Sequence, residues 1–318
     1  MSSADRARTV LTLDGLRTGG KRAMAAALAA IETAAGSIEL ADLLDRACRD
    51  PRAATLGLTG PPGVGKSTLS NALVSGWRRA GETVGVIAID PSSRRTGGAL
   101  LGDRARISTD PTDRGVFIRS MAARDRLGGL SDQTVAAMVL MRAVYDRVLI
   151  ESVGIGQSEA DVAMVADTVV LCIQPGSGDS LQFMKAGVME LPDVIVVTKA
   201  DMGEAALRAK ADVEGALTLV TRDSGAWVAP VVLVSSTTGS GLDALADAVA
   251  AHAGWLAGTR LTERRVLQER QWVEETIRTR FGTAGLALLP GLDARDGPFQ
   301  RERAATESLA RRLAGSGH

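Results

Sequence analysis

The stretch Thr55-Leu56-Gly57-Leu58-Thr59-Gly60-Pro61-Pro62-Gly63-Val64-Gly65-Lys66-Ser67-Thr68 carries the architecture of this chain. Residues 55–59 form a short apolar run. Residues 60–67 fit G-x-x-x-x-G-K-[ST], and residues 66–79 show helical spacing. A strand, a glycine-rich turn and a helix in that order make a phosphate cradle. The glycines let backbone N–H groups turn inward, and the helix N-terminus adds partial positive charge. Gly63, Val64 and Gly65 supply backbone to the cradle. Lys66 reaches the β- and γ-phosphates, Ser67 offers its hydroxyl to Mg²⁺, and Thr68 assists at the phosphates.

Further apolar runs cover residues 83–89, 147–150, 168–173, 194–197 and 231–234, rich in Val, Ile and Leu. Strands apolar on both faces belong to a parallel sheet covered by helices on both sides. Helical patterns fall between them, over residues 131–145, 158–166, 181–190 and 204–219. This alternation predicts an α/β fold with a doubly wound, mostly parallel sheet and right-handed crossovers. Residues 1–50 read as an N-terminal helical segment, with helical spacing at 23–31 and 38–48 and a break at Asp50-Pro51. A closing helix is expected over 241–256, a long charge-rich helix over 262–280 and a short one over 300–313. The organisation expected is a helical segment 1–50, a nucleotide domain 51–258 and a C-terminal helical extension 259–318.

Composition narrows the classes. The 318 residues carry 37 Lys+Arg and 37 Asp+Glu, so no net charge draws the chain to nucleic acid or an anionic membrane. No apolar run approaches the roughly 20 residues a membrane helix needs. The first 30 residues contain no apolar signal core. Cys48 and Cys172 suggest no disulfide framework, and with His252 and His318 they show no metal-ligand spacing. A reduced, cytoplasmic protein is expected. Lysine is scarce, and three of its five positions, Lys66, Lys185 and Lys199, fall within motifs.

Three acids are candidates for the metal. Asp90 ends the second apolar run, at the strand edge that faces the ligand crevice of such a sheet. Asp103 sits in Gly102-Asp103-Arg104, after a glycine-containing loop, and Glu151 ends the third run, three residues before Gly154. Together they make a Mg²⁺ and water-positioning set, and the Gly154 N–H can sense the γ-phosphate. Gln157 and Glu159 either orient water or belong with Ser158 and Asp161 to a helix cap.

Thr198-Lys199-Ala200-Asp201 resembles N-K-x-D, the guanine-reading motif. The Asp201 carboxylate can accept from guanine N1–H and N2–H₂, a donor pair adenine lacks, and the Lys199 stem can lie along the base. Thr198 stands where Asn is usual. Ser235, Ser236 and Thr237 end the last run, where backbone N–H groups meet the guanine carbonyl. GTP and GDP are thus the expected ligands.

Five stretches resemble the methylmalonyl-CoA mutase-associated GTPases, the MeaB/ArgK family of P-loop GTPases. They are residues 57–68, Ala88-Ile89-Asp90-Pro91-Ser92-Ser93, Leu101-Gly102-Asp103-Arg104, residues 151–159, and Gly178-Asp179-Ser180-Leu181-Gln182 through Lys185-Ala186-Gly187. The resemblance covers about residues 15–280. It implies that Asp90, Asp103 and Glu151 match the family's Mg²⁺ and catalytic acids. It further implies that residues 178–185 are an extra switch, and that Lys185 swings toward the nucleotide when a partner is bound. Family members are homodimers through the C-terminal extension. They act as chaperones of adenosylcobalamin-dependent acyl-CoA mutases, using GTP to gate cofactor loading. The segment after Phe281 matches the family poorly, and on periodicity alone residues 262–280 fit packing on their own domain equally well. The alternative function is a small-molecule kinase or transport-linked ATPase. An acceptor site for that reading is not identifiable in the sequence, and Asp201 speaks for guanine.

Overall fold

The computed structural model describes residues 12–90, 110, 112–122, 131–152, 158–176, 191–219, 223, 225–288 and 296–315. Among the described residues there are seven strands: β1 (Ala54–Thr59), β2 (Val84–Asp90), β3 (Val116–Ala122), β4 (Arg147–Glu151), β5 (Thr168–Ile173), β6 (Val194–Val197) and β7 (Val231–Leu233). They form one sheet in the order β3-β2-β4-β1-β5-β6-β7, and every neighbouring pair is parallel. The helices among the described residues are α1 (Leu13–Thr33), α2 (Ile38–Arg49), α3 (Lys66–Arg79), α4 (Asp132–Val144), α5 (Ser158–Ala163), α6 (Glu204–Leu217), α7 (Leu242–Leu256), α8 (Thr259–Ala287) and α9 (Pro298–Gly315). The helix expected over 181–190 lies outside the described residues.

Strand β3 is the element that apolar runs did not reveal. Arg119 and Ser120 interrupt its hydrophobic residues, and it lies at the sheet edge, where most of its side chains are only half-buried. Pairing with β2 from Val84↔Val116 to Asp90↔Ala122 supplies what the sequence pattern lacks. The runs beginning at 147 and 194 are therefore the fourth and sixth strands. The strands alternate their side chains between two covered faces. On one face Leu69, Leu73 and Val74 of α3 and Leu245 of α7 pack against Leu58, Val86, Leu149, Val170 and Val196. On the other, Ala206, Val213 and Leu217 of α6 meet Leu171, Ile173, Ile195 and Val197, while Val162 meets Val169.

At the N-terminal ends of the strands one arrangement occurs three times. Asp146, Asp167 and Asp193 each stand immediately before a strand. Each accepts a backbone N–H of a neighbouring chain segment on its carboxylate, from Thr83 at 2.8 Å, Thr55 at 2.9 Å and Val169 at 2.8 Å. Each also donates its own N–H to the carbonyl of that same residue. The clamps satisfy groups that the start of a parallel ladder leaves open and pin its register.

The chain divides into two compact units. The first contains the sheet with α3, α5, α6 and α7. The second gathers α1, α2 and α4, most of α8 and α9. Within the second unit Val273 and Ile277 of α8 pack with Ala305 and Leu309 of α9. The Asp45 carboxylate of α2, fully buried, accepts the N–H groups of Phe299 and Gln300 at 2.9 and 3.1 Å and so caps α9 from another helix. Burial pushes this carboxyl above its usual range, opposed by those two N–H groups. The break expected at Asp50 is present: α2 ends at Arg49, and Arg17 pairs with the Asp50 carboxylate at 2.8 Å. Among the described residues no helix is long and apolar enough to cross a membrane.

Candidate functional site

Strand β1 lies between β4 and β5, so connections leave its two sides in opposite senses and open a crevice at its C-terminal end. The phosphate cradle occupies that point. Gly60 has φ 134°, and a Cβ there would stand 2.1 Å from the Cys172 carbonyl oxygen, so only glycine lets the loop leave β1 beside β5. Gly65 has φ 101° and opens α3, the left-handed conformation that reverses the chain into the helix. The Lys66 side chain is buried and arches back over the loop, donating to the carbonyls of Gly60 at 2.7 Å and Pro61 at 3.0 Å.

Glu151, the last residue of β4, is brought to the start of α3. The Ser67 hydroxyl donates to its Oε1 at 2.6 Å, and the Ser70 hydroxyl donates to its Oε2 at 2.6 Å. Beside it, the Ser152 hydroxyl donates to Thr59 Oγ1 at 3.0 Å. A serine hydroxyl against a carboxylate at a phosphate cradle is a hard-oxygen donor set. It fits Mg²⁺, which keeps most of its ligands as water and phosphate oxygen. Asp90 ends β2 beside β4, with its side chain outside the described residues. Asp103, Gly154 and Lys185 also lie outside the described residues, as do Gln157 and the side chain of Glu159.

The segment 198–201 follows β6. The Thr198 side chain is buried and points away from solvent, its hydroxyl 2.7 Å from the Val64 carbonyl and 2.9 Å from that of Ile173. Its one proton ties this segment to the cradle. Lys199 takes a left-handed backbone conformation, φ 54°, and its ammonium reaches Gln174 Oε1 at 2.5 Å and the Gly63 carbonyl at 3.4 Å. Asp201 is exposed, and the Ser235 hydroxyl donating to it holds its carboxyl below the usual carboxylate range. Ser235 does not present its own N–H to a ligand, because that group donates to the Ser240 carbonyl at 2.9 Å.

Sequence reasoning missed Ser70, Gln174 and the Ser235–Asp201 contact. Ser70 carried a signal, since it stands three residues after Ser67 and shares its helix face. Both cysteines are inert here: burial pushes the Cys48 and Cys172 thiols up to about 12.

A family model described as methylmalonyl Co-A mutase-associated GTPase MeaB matches residues 23–285. The chain belongs to the MeaB family of P-loop GTPases. GTPase ArgK of Escherichia coli is 35% identical over 269 residues, 82% of this chain and 81% of that protein. The mouse mitochondrial protein named methylmalonic aciduria type A homolog is 36% identical over 236 residues, 72% of this chain and 57% of that one. Among solved structures, one titled LAO/AO transport system kinase superposes with a TM-score of 0.68 at 27% identity, covering 98% of this chain and 99% of that one. The doubly wound sheet found here is the fold shared with that solved structure.

Proposed function

We propose that the chain hydrolyses GTP to GDP and phosphate, slowly alone and faster when an adenosylcobalamin-dependent acyl-CoA mutase is bound. In this reading it gates cofactor loading and protects the mutase. The observation that carries it is the clasp of Ser67 on Glu151, together with an exposed Asp201 whose carboxyl Ser235 holds below its usual range, on a family member whose family is described by association with methylmalonyl-CoA mutase. Lys66 and the backbone of Gly63, Val64, Gly65, Ser67 and Thr68 hold the phosphates. Asp201 accepts from guanine, Lys199 lies along the base, and Thr198 keeps this segment in register with the cradle. Ser236 and Thr237 offer N–H groups to the base carbonyl, with Ser235 orienting Asp201 instead.

Ser67, Asp90, Asp103 and Glu151 would hold Mg²⁺, which supplies charge neutralisation at the β- and γ-phosphates. Asp103 and Glu151 orient the attacking water, and the Gly154 N–H answers to the γ-phosphate. Lys185 completes the site when the partner orders its segment, an order–disorder switch. The protein works in the cytoplasm as a homodimer, joined by the extension 259–318. The exposed Val266 and Leu267 on α8 support that placement.

Hydrolysis of GTP and of ATP, each with and without the mutase, tests this. GTP-selective turnover that rises severalfold with the mutase is expected. Equal rates with and without the mutase overturn the partner. Equal turnover of the two nucleotides overturns the base assignment, and a phosphorylated small molecule formed from ATP would establish a kinase instead. Light scattering of the purified chain checks the dimer.

A further inference from the structure

Ser70 lies outside the G-x-x-x-x-G-K-[ST] pattern, one helical turn beyond Ser67 on α3. Its side chain is fully buried, and Glu151 is 5% exposed. The two serines share a helix face, and each donates to a different oxygen of the same carboxylate at 2.6 Å. Around Ser70 on α3 stand Leu69, Leu73 and Val74, all core residues. Alanine would suit the helix better at such a position, so packing alone does not call for a hydroxyl.

We propose that Ser70 is a positioning residue for the divalent-cation site. This rests on the GTPase reading of the cradle and deepens it. A hydroxyl that lends its lone pair to a cation must send its proton the other way, so the acceptor of that proton sets its orientation. For Ser67 that acceptor is Glu151 Oε1. A glutamate side chain turns about three bonds, and a tie at one oxygen leaves the carboxylate plane free to swing. Ser70 at Oε2 supplies the second tie, in a place too buried for bulk water to substitute. Ser70 therefore acts on the cation through Glu151 and Ser67 and touches neither cation nor nucleotide.

The test is Ser70→Ala in the full chain, read with a fluorescent GTP analogue in two ways: affinity in EDTA, and the Mg²⁺ concentration that half-saturates the cation-dependent signal. The half-saturating Mg²⁺ is expected to rise roughly tenfold or more. Affinity in EDTA is expected to stay within about twofold, since the cradle itself is untouched. Ser70→Thr, which keeps the hydroxyl, restores the wild-type Mg²⁺ dependence. An unchanged half-saturation in folded Ser70→Ala overturns the proposal, and so does an equal loss of affinity in EDTA. If Ser70→Ala does not fold, Ser70→Cys keeps the volume with a weak donor. The same upward shift is expected of it, and wild-type Mg²⁺ dependence in that folded variant overturns the proposal. Failure of the underlying reading shows separately, as wild-type protein whose GTP binding ignores Mg²⁺.

Discussion

The two ends of the one sheet both concentrate carboxylates and hydroxyls, yet they use them differently. At the C-terminal end, Glu151 takes its donors from the side chains of Ser67 and Ser70, and Asp201 stands exposed beside Ser235. At the N-terminal end, Asp146, Asp167 and Asp193 each take a backbone N–H group and return their own to the same residue, Asp146 taking the Thr83 hydroxyl as well at 2.7 Å. The second end is also closed over. His252, fully buried, lies 2.9 Å from the Thr168 hydroxyl through Nδ1 and 3.1 Å from Asp193 through Nε2. Trp227 donates to the Asp193 carbonyl and packs 4.9 Å from the imidazole. Carboxylates paired with backbone hold the ladder in register, while the Ser67 hydroxyl on Glu151 keeps a lone pair that it can turn to a ligand.

This contrast predicts a double dissociation. Lys66→Ala should lower GTP affinity by about a hundredfold or more, because the ammonium is the compact charge the cradle offers to the phosphates. Calorimetric titration checks the affinity, and melting curves read the separate cost of releasing the Gly60 and Pro61 carbonyls. Asp201→Ala should lose most discrimination between GTP and ATP, roughly tenfold to a hundredfold, read as the ratio of the two affinities. Its carboxyl sits below the usual range, so wild-type selectivity should stay flat from about pH 8 down to about pH 5.

Asp167→Ala should behave in the opposite way. It is buried, and its loss leaves the Thr55 N–H without that acceptor, so unfolding in urea should show about 2 kcal/mol of destabilisation with GTP affinity nearly unchanged. Asp146→Ala, exposed to water that replaces the carboxylate, should cost about 0.5 kcal/mol or less in the same assay. Equal destabilisation by the two aspartate variants would mean that burial does not grade these clamps.

Much of this contrast was legible in the chain. The glycine-rich turn before α3 and the bounds of α3 at Lys66–Arg79 followed from the chain, since glycine spacing and helix periodicity are local signals. The buried strands β5 and β6 were equally plain as apolar runs. Strand β3 was not, because a half-buried edge strand is held by its pairing with β2 and not by its own hydrophobicity. The grouping of α1, α2, α4, α8 and α9 into one unit was invisible for a related reason: it depends on which helix faces meet, as when Asp45 caps α9 from 254 residues away.

Thr198 shows the same boundary at the scale of one side chain. Sequence placed it in a base-reading motif with an unusual residue type. The tertiary structure decided that its hydroxyl reaches the Val64 and Ile173 carbonyls. Local composition determines which backbone conformations are available, and so the cradle, the strands and the motif order followed from residues alone. Pairings such as Ser70 with Glu151, 81 positions apart, arise only when the sheet order brings β4 beside β1 and carries α3 over both. Hydrogen bonds have a reach of about 3 Å, and no spacing along a chain encodes which distant atoms will come within it.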